Sequence, residues 1–275
     1  MATADYNRAD LARVLADLPL SRGDVVFSHS NLGFFGRPDG VTGGKVICEM
    51  FIAALFERIG PEGTLVVPTF TYSFPRREIF DVEASASGMG LFAETVRTHP
   101  AACRSADPCY SVAALGARAA ELTAAAPENS FGERSFFERF LKVGGQVLNF
   151  NFDAGSTFLH YVERRLKVPY RFDKSFRGIL RERGVERPAV STIWVRYLSD
   201  DCLEAAFEPF DALARREGVF VIRPLGRGEV GLISAKDCLD LVGRTLPTRP
   251  WFLTKAEGLG IASPRMVPED SAPGF

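Results

Sequence analysis

Histidine is scarce in this chain. Only His29, His99 and His160 occur, so each is worth weighing. The five cysteines, at 48, 103, 109, 202 and 238, contain no Cys-x-x-Cys pair. An odd number without paired spacing speaks against a disulfide framework and against a zinc site. An excess of either charge is also missing, since 33 basic residues face 34 acidic ones. Nothing therefore speaks for a nucleic-acid partner. No apolar run exceeds strand length, which is far short of a membrane span. The start, Met-Ala-Thr-Ala-Asp-Tyr, lacks a signal peptide's basic and apolar regions. The expectation is a soluble cytoplasmic protein with no membrane partner.

Several catalytic motifs are absent as well. Gly40-Val41-Thr42-Gly43-Gly44-Lys45 invites a phosphate-loop reading, but Asp39 stands at the first required glycine and Val46 follows the lysine. Gly88-Met89-Gly90 follows no buried strand. Gly226-Arg227-Gly228 leads into Leu232-Ile233, which reads as strand, so a hairpin turn accounts for it better than a dinucleotide fingerprint. There is no Gly-x-Ser-x-Gly elbow. The three histidines are dispersed, and the one carboxylate–histidine cluster is His160/Glu163, so no metal is expected.

What is present is an alternation of helical and strand patterns. Residues 5–18 read as an amphipathic helix, Val25-Val26-Phe27 as a buried strand, and Gly44 to Ile59 as a helix. Thr64-Leu65-Val66-Val67 is a second strand. This order indicates a parallel unit with polar loops, Ser28–Asn31 and Thr69–Tyr72, at the strands' carboxyl ends, where open α/β sheets bind ligands. Residues 73–88 look irregular, 90–97 helical and 112–115 strand-like, with helices expected over 117–126 and 132–141. Phe136, Phe137 and Phe140 fit the core. After residue 170 the pattern shifts to a strand at 191–198, a helix at 201–217, strands at 218–224 and 229–234, and a helix at 235–246. The fold class expected is α/β, a three-layer mixed, largely parallel sheet with helices on both faces and a smaller C-terminal lobe. Residues 1–255 would form one domain, its lobe about 170–255, with 256–275 a poorly ordered tail.

The chemistry centres on one stretch. The strand Gly145–Phe152 is followed by the turn Asp153-Ala154-Gly155 and then a helix, with the Thr157 hydroxyl as its cap. His160 and Glu163 lie three apart and share a face. An imidazole and a carboxylate at a strand-to-helix junction are the parts of a general base and its orienting partner. A solvent-facing pair is the alternative on spacing alone.

Other segments bear on that choice. Gly23-Asp24-Val25-Val26-Phe27-Ser28-His29-Ser30-Asn31, Gly63 to Phe70, Met89-Gly90 with Glu94 and Arg97, Arg104-Ser105 with Pro108 and Ser111, and Thr157 with His160 and Glu163 occur in that order. This ordered set, from about residue 8 to 246, resembles the aminoglycoside 3-N-acetyltransferase family. The resemblance implies acetyl transfer from coenzyme A to an amine, with His160 as base and Glu163 holding its tautomer. His29, at the carboxyl end of a strand, is the second catalytic candidate, and a structural histidine bonded to backbone is the other role open to it. The resemblance also implies that the cofactor, acetyl-CoA or another acyl-CoA, lies along the cleft. Ser30, Asn31 and Thr69 would meet its amides and Arg104 a phosphate, while Thr69 and Ser111 would serve as oxyanion donors. Tyr72, Asp107 and Asp153 would face the acceptor; capping the turn at Pro108 is the other role open to Asp107.

The sequence departs from the family pattern at Asp107, where histidine is usual, at Asn31, and at Phe150-Asn151-Phe152. These departures leave the acceptor open, and with it the acyl group that Phe150 and Phe152 would shape. An acyl carrier protein drawn to Arg76, Arg77 and Arg104 is the alternative donor, and a non-catalytic binder is a further alternative. A homodimer also stays open.

Overall fold

The computed structural model describes residues 4–124 and 126–267. Parts of the expectations above that fall on residues 1–3, 125 and 268–275 lie outside the described residues. The chain runs through α1 (Arg8–Ala16), β1 (Val25–Phe27), α2 (Gly44–Ile59), β2 (Thr64–Pro68), β3 (Phe80–Asp81), α3 (Gly90–Arg97), β4 (Cys103–Arg104), β5 (Val112–Gly116), α4 (Ala119–Thr123), α5 (Phe136–Lys142), β6 (Gln146–Phe150) and α6 (Phe158–Arg165). It continues through β7 (Arg171–Glu182), β8 (Val185–Arg196), α7 (Glu208–Arg216), β9 (Val221–Leu225), β10 (Gly228–Ser234), α8 (Ala235–Thr245) and α9 (Lys255–Leu259).

The main sheet has the order β4-β5-β2-β1-β6-β10-β9. Its central strands β1, β2 and β5 are near-continuous buried runs whose successive side chains point to opposite faces. Val25, Phe27, Val66, Val147 and Ile233 point to the core shared with α5, α6 and α8. Val26, Leu65, Val67, Leu148 and Leu232 point to the core shared with α1, α2 and α3. Helices thus cover both faces, as expected, and Phe136, Phe137 and Phe140 are core residues.

Two features correct the sequence expectation. The sheet is mixed, as expected, but it is mostly antiparallel and not largely parallel. β1 pairs parallel with β2 and β6, and the pairs β2–β5, β5–β4, β6–β10 and β10–β9 are antiparallel. The reason is connection length: the Gly226-Arg227 turn between β9 and β10 is too short for a parallel crossover. The region expected to form a C-terminal lobe is divided. β9, β10 and α8 complete the main sheet and its core, whereas β7 and β8 pair over their full length and join β3 in a second, three-stranded sheet.

β7 had no counterpart in the sequence reading, because Arg171, Asp173, Arg177 and Arg181 mask the Phe172, Phe176 and Leu180 alternation. Residues 201–207 are not part of the helix expected there, since α7 begins at Glu208. The expected tail begins instead with α9, whose Ala256 is fully buried.

Candidate active site

The strand β6 delivers the chain to α6 through a tight turn. The Asn149 amide nitrogen donates to the carbonyls of Asp153 (2.6 Å) and Gly155 (3.0 Å), and the Gly155 N–H donates to the Asp153 carboxylate (2.8 Å). These bonds fix where α6 starts. The Thr157 hydroxyl does not cap that helix, contrary to the sequence expectation. It lies 3.2 Å from His29 Nε2, so the carboxyl end of β1 is bound to the first turn of α6.

One turn further on, His160 Nδ1 lies 2.7 Å from Glu163 Oε2. The carboxylate is fully buried. Tyr170 donates its hydroxyl to Oε1 at 3.0 Å, and Arg171 Nε lies 2.9 Å from Oε2. These two partners arrive because α6 ends at Arg165, Leu166 caps it and Lys167 takes a left-handed conformation (φ 56°), which turns the chain back along the helix. Burial pushes the Glu163 carboxyl up, but Arg171, His160 and Tyr170 outweigh it and hold the group below the ordinary carboxylate range. Burial and Arg171 lower the His160 imidazole, with Glu163 opposing them. With the ring neutral, its Nδ1–H donates to the carboxylate. Its Nε2 has no hydrogen-bond partner among the described residues. That is the state a general base requires. Phe131 and Phe207 flank the ring at centroid distances of 6.2 and 5.7 Å.

His29 is a different kind of histidine. Its ring packs edge-on against Phe27 at 4.8 Å, and Nδ1 is buried without a hydrogen-bond partner among the described residues. Burial lowers its pKa to about 4. His99 is exposed and accepts the Ala101 N–H at 3.2 Å. After His29 the loop crosses to β6: the Asn31 N–H donates to the Phe150 carbonyl (2.9 Å) and the Phe150 N–H to the His29 carbonyl (2.9 Å). Ser30 and Asn31 border a cavity of about 300 Å³ that is also lined by Gly44 and Gly90, the first residues of α2 and α3.

The remaining candidates fall elsewhere. Thr69 and Ser111 are fully buried, with hydroxyls 3.0 Å apart. Arg104 lies over the Phe80 ring. Its Nε donates to both hydroxyls, its Nη1 to the Val82 (3.1 Å) and Ser85 (2.6 Å) carbonyls, and its Nη2 to the Thr69 carbonyl (2.9 Å). All three nitrogens of this guanidinium are thus held by the chain itself. Burial lowers its pKa to about 10. Asp107 is buried and accepts the Cys109 and Tyr110 N–H groups, both at 2.9 Å, which makes it the cap of that turn. Tyr72 adopts φ 52° and meets Tyr110 edge-on at 5.4 Å. Asp153 faces a second cavity with Arg215 and Glu229, and burial raises its carboxyl. Phe150 packs into the core on Phe51 and Phe92, whereas Phe152 is exposed, 6.4 Å from the His29 ring.

An imidazole held against a buried carboxylate, on the helix that follows β6, is an arrangement that can take a proton from an attacking nucleophile. The chain belongs to the aminoglycoside 3-N-acetyltransferase family, whose sequence pattern matches residues 28–247. It is 28% identical over 260 residues to aminoglycoside N(3)-acetyltransferase IX of Micromonospora chalcea, covering 84% of this chain and 86% of that protein. Among solved structures it resembles AAC-VIa bound to sisomicin, with a TM-score of 0.74 and 25% identity over 90% of this chain and 99% of that one. The binary complex of AAC-IIIb with CoASH shares the fold, with a TM-score of 0.72 and 24% identity over 86% and 97% of the two chains.

Sequence reasoning missed Tyr170 and Arg171. Their only signal was position, just past the end of α6, where a reversing turn brings the chain back to Glu163. Thr157 was seen as a cap, not as the partner of His29.

Proposed function

We propose that this protein is an acetyl-CoA-dependent N-acetyltransferase acting on a primary amine of an amino sugar or related small molecule. The observation that carries the reading is the 2.7 Å contact between His160 and the buried Glu163. A neutral amine attacks the thioester carbonyl, and His160 Nε2 takes the proton released as the new C–N bond forms. The tetrahedral intermediate then collapses, the C–S bond breaks, and the coenzyme A thiolate leaves and is protonated. Glu163 holds the imidazole's tautomer and stabilises its cationic form.

The developing oxyanion needs donors. In the loop after β1, the Ser28 and Asn31 N–H groups are bonded to the Val66 and Phe150 carbonyls. The N–H groups of His29 and Ser30 have no partner among the described residues and are the donors we favour. The cavity at Ser30 and Asn31 suits the coenzyme. The first turns of α2 and α3 converge there, and helix N-termini favour phosphate oxygens. No helix among the described residues is long and apolar enough to cross a membrane, which is compatible with a cytoplasmic enzyme.

Free coenzyme A is favoured over an acyl carrier protein. Arg104 is an interior residue, so it does not join the exposed Arg76 in a surface patch. Calorimetric titration with acetyl-CoA and with CoA tests the proposal. One-to-one binding of both is expected; the absence of binding at millimolar ligand would remove coenzyme A as the donor.

A further inference from the structure

Two segments far apart in the chain meet at the turn from which α6 begins. The Ala154 N–H donates to the Asp211 carboxylate at 2.8 Å. Asp211 stands in the first turn of α7, and its own N–H donates to the Phe207 carbonyl at 2.8 Å. Phe207, just ahead of that helix, has its ring centroid 5.7 Å from that of His160. The same residue sits on Gly155. A Cβ on that glycine would fall 2.7 Å from Phe207 Cδ2 and 2.9 Å from its Cβ, so a side chain there would displace the phenylalanine. One aromatic residue thus meets both the imidazole and the turn, and one carboxylate ties its helix to that turn.

The tie is held at both oxygens. Asp211 Oδ1 accepts the Ala154 N–H, and Oδ2 accepts Arg215 Nε at 2.7 Å. Arg215 reaches on to the Glu229 carboxylate of β10, and the Glu229 carbonyl accepts the Asn151 N–H at 2.9 Å, just past the end of β6. The carboxylate therefore cannot swing without breaking two charge-assisted hydrogen bonds. The Asn149 and His29 contacts also fix the turn, but they come from the sheet. Asp211 joins the turn to the segment that carries a wall of the imidazole. That wall matters because the ring is anchored by one hydrogen bond, from Nδ1 to Glu163, which alone leaves it free to tilt. Packing against Phe131 and Phe207 removes that freedom.

We propose that Phe207 and Asp211 are positioning residues for the acetyl transfer: Asp211 holds Phe207 against the His160 ring, and Phe207 fixes the ring's orientation and shields it from water. The inference rests on the reading of His160 as the base. A base must meet its proton at hydrogen-bond distance, and a displacement of about 1 Å costs as much as hundredfold in rate.

The test uses the full chain with Phe207→Ala, Asp211→Ala and Asp211→Asn. In F207A and D211A, kcat should fall roughly ten- to hundredfold with the KM for acetyl-CoA unchanged. D211N keeps an oxygen that can accept the Ala154 N–H and should recover most of the loss. The F207A and D211A effects should not multiply in the double variant, because both act through one ring. The second readout needs no substrate: the His160 titration followed by NMR, assigned against His160→Ala, since the chain has three histidines. Burial is the main cause that lowers this imidazole, Arg171 adds to it and Glu163 opposes it. The variants alter neither charged group, so admitting water should raise the midpoint in F207A and, by less, in D211A. A wild-type kcat and midpoint in folded F207A or in folded D211A would overturn the inference, as would effects that multiply independently. If D211A does not fold, F207A decides by the same two readouts. Failure of the base reading is seen separately, as an unchanged kcat in His160→Ala, and leaves the NMR midpoints to be compared.

Discussion

Oxygen Oε2 of Glu163 receives two neighbours at once, Nδ1 of His160 at 2.7 Å and Nε of Arg171 at 2.9 Å. The carboxylate is fully buried, and Arg171 is the cation that balances its charge there, with His160 and Tyr170 adding hydrogen bonds. Arg171→Gln should lower stability by about 3–5 kcal/mol, the usual cost of leaving one member of a buried pair without its partner. Glu163→Gln should also destabilise, and the double variant should lose less than the sum of the singles. Urea unfolding of the four proteins measures this. Strict additivity would mean that the two side chains do not act as a pair.

In the proposed mechanism the same contact sets the pH at which His160 can act as base. His160 must be neutral to accept a proton, and burial with Arg171 lowers its pKa. The acid limb of kcat/KM should therefore lie below about pH 6.5, the unperturbed imidazole value. Removing the guanidinium removes a cation that disfavours imidazolium. In Arg171→Gln the limb should move to higher pH. A pH–rate profile with an unmoved limb would show that Arg171 does not tune the base.

His29 should make the protein acid-sensitive. Its folded pKa is lowered by burial to about 4, so the unfolded chain takes up a proton first as pH falls. The stability it contributes is fully present above the unfolded pKa, about 6.5, and is lost progressively down to about pH 4. His29→Asn should flatten that part of the Tm–pH curve relative to wild type. Two curves that stay parallel from pH 7 to 4 would show that His29 is protonated without cost.

Asp107 separates a structural role from a substrate role. It accepts two backbone N–H groups in a buried turn. Asp107→Ala should cost about 1–3 kcal/mol, because buried donors are left unsatisfied. Asp107→Asn keeps an acceptor oxygen and should retain most of the stability and the acceptor KM. A large rise in KM for D107N at unchanged Tm would assign the carboxylate to the substrate instead.

The contact between His160 and Glu163 was legible in the sequence because both residues lie on one helix, where a spacing of three fixes their proximity. Tyr170 and Arg171 follow in the chain, but their reach to Glu163 depends on the left-handed turn at Lys167, a position where glycine is the usual signal and lysine gives none. Arg104 stood in a recognisable segment. Its enclosure by the Val82 and Ser85 carbonyls is a tertiary event between segments some twenty residues apart, which no local pattern encodes. The β7–β8 hairpin was hidden because its charged residues alternate with aromatics on a strand with one open face. The parallel β1–α2–β2 unit and the β9–β10 hairpin were readable, since buried runs and glycine turns mark both.

The central claim is that His160 accepts the proton of the attacking amine. It is tested most directly by following coenzyme A thiol release from acetyl-CoA with a free primary-amine acceptor that the wild type acetylates, for wild type and His160→Ala. The expected result is a kcat lower by about 100- to 10,000-fold in the variant, with the fold and acetyl-CoA affinity intact. An unchanged kcat in a folded His160→Ala protein would contradict the account.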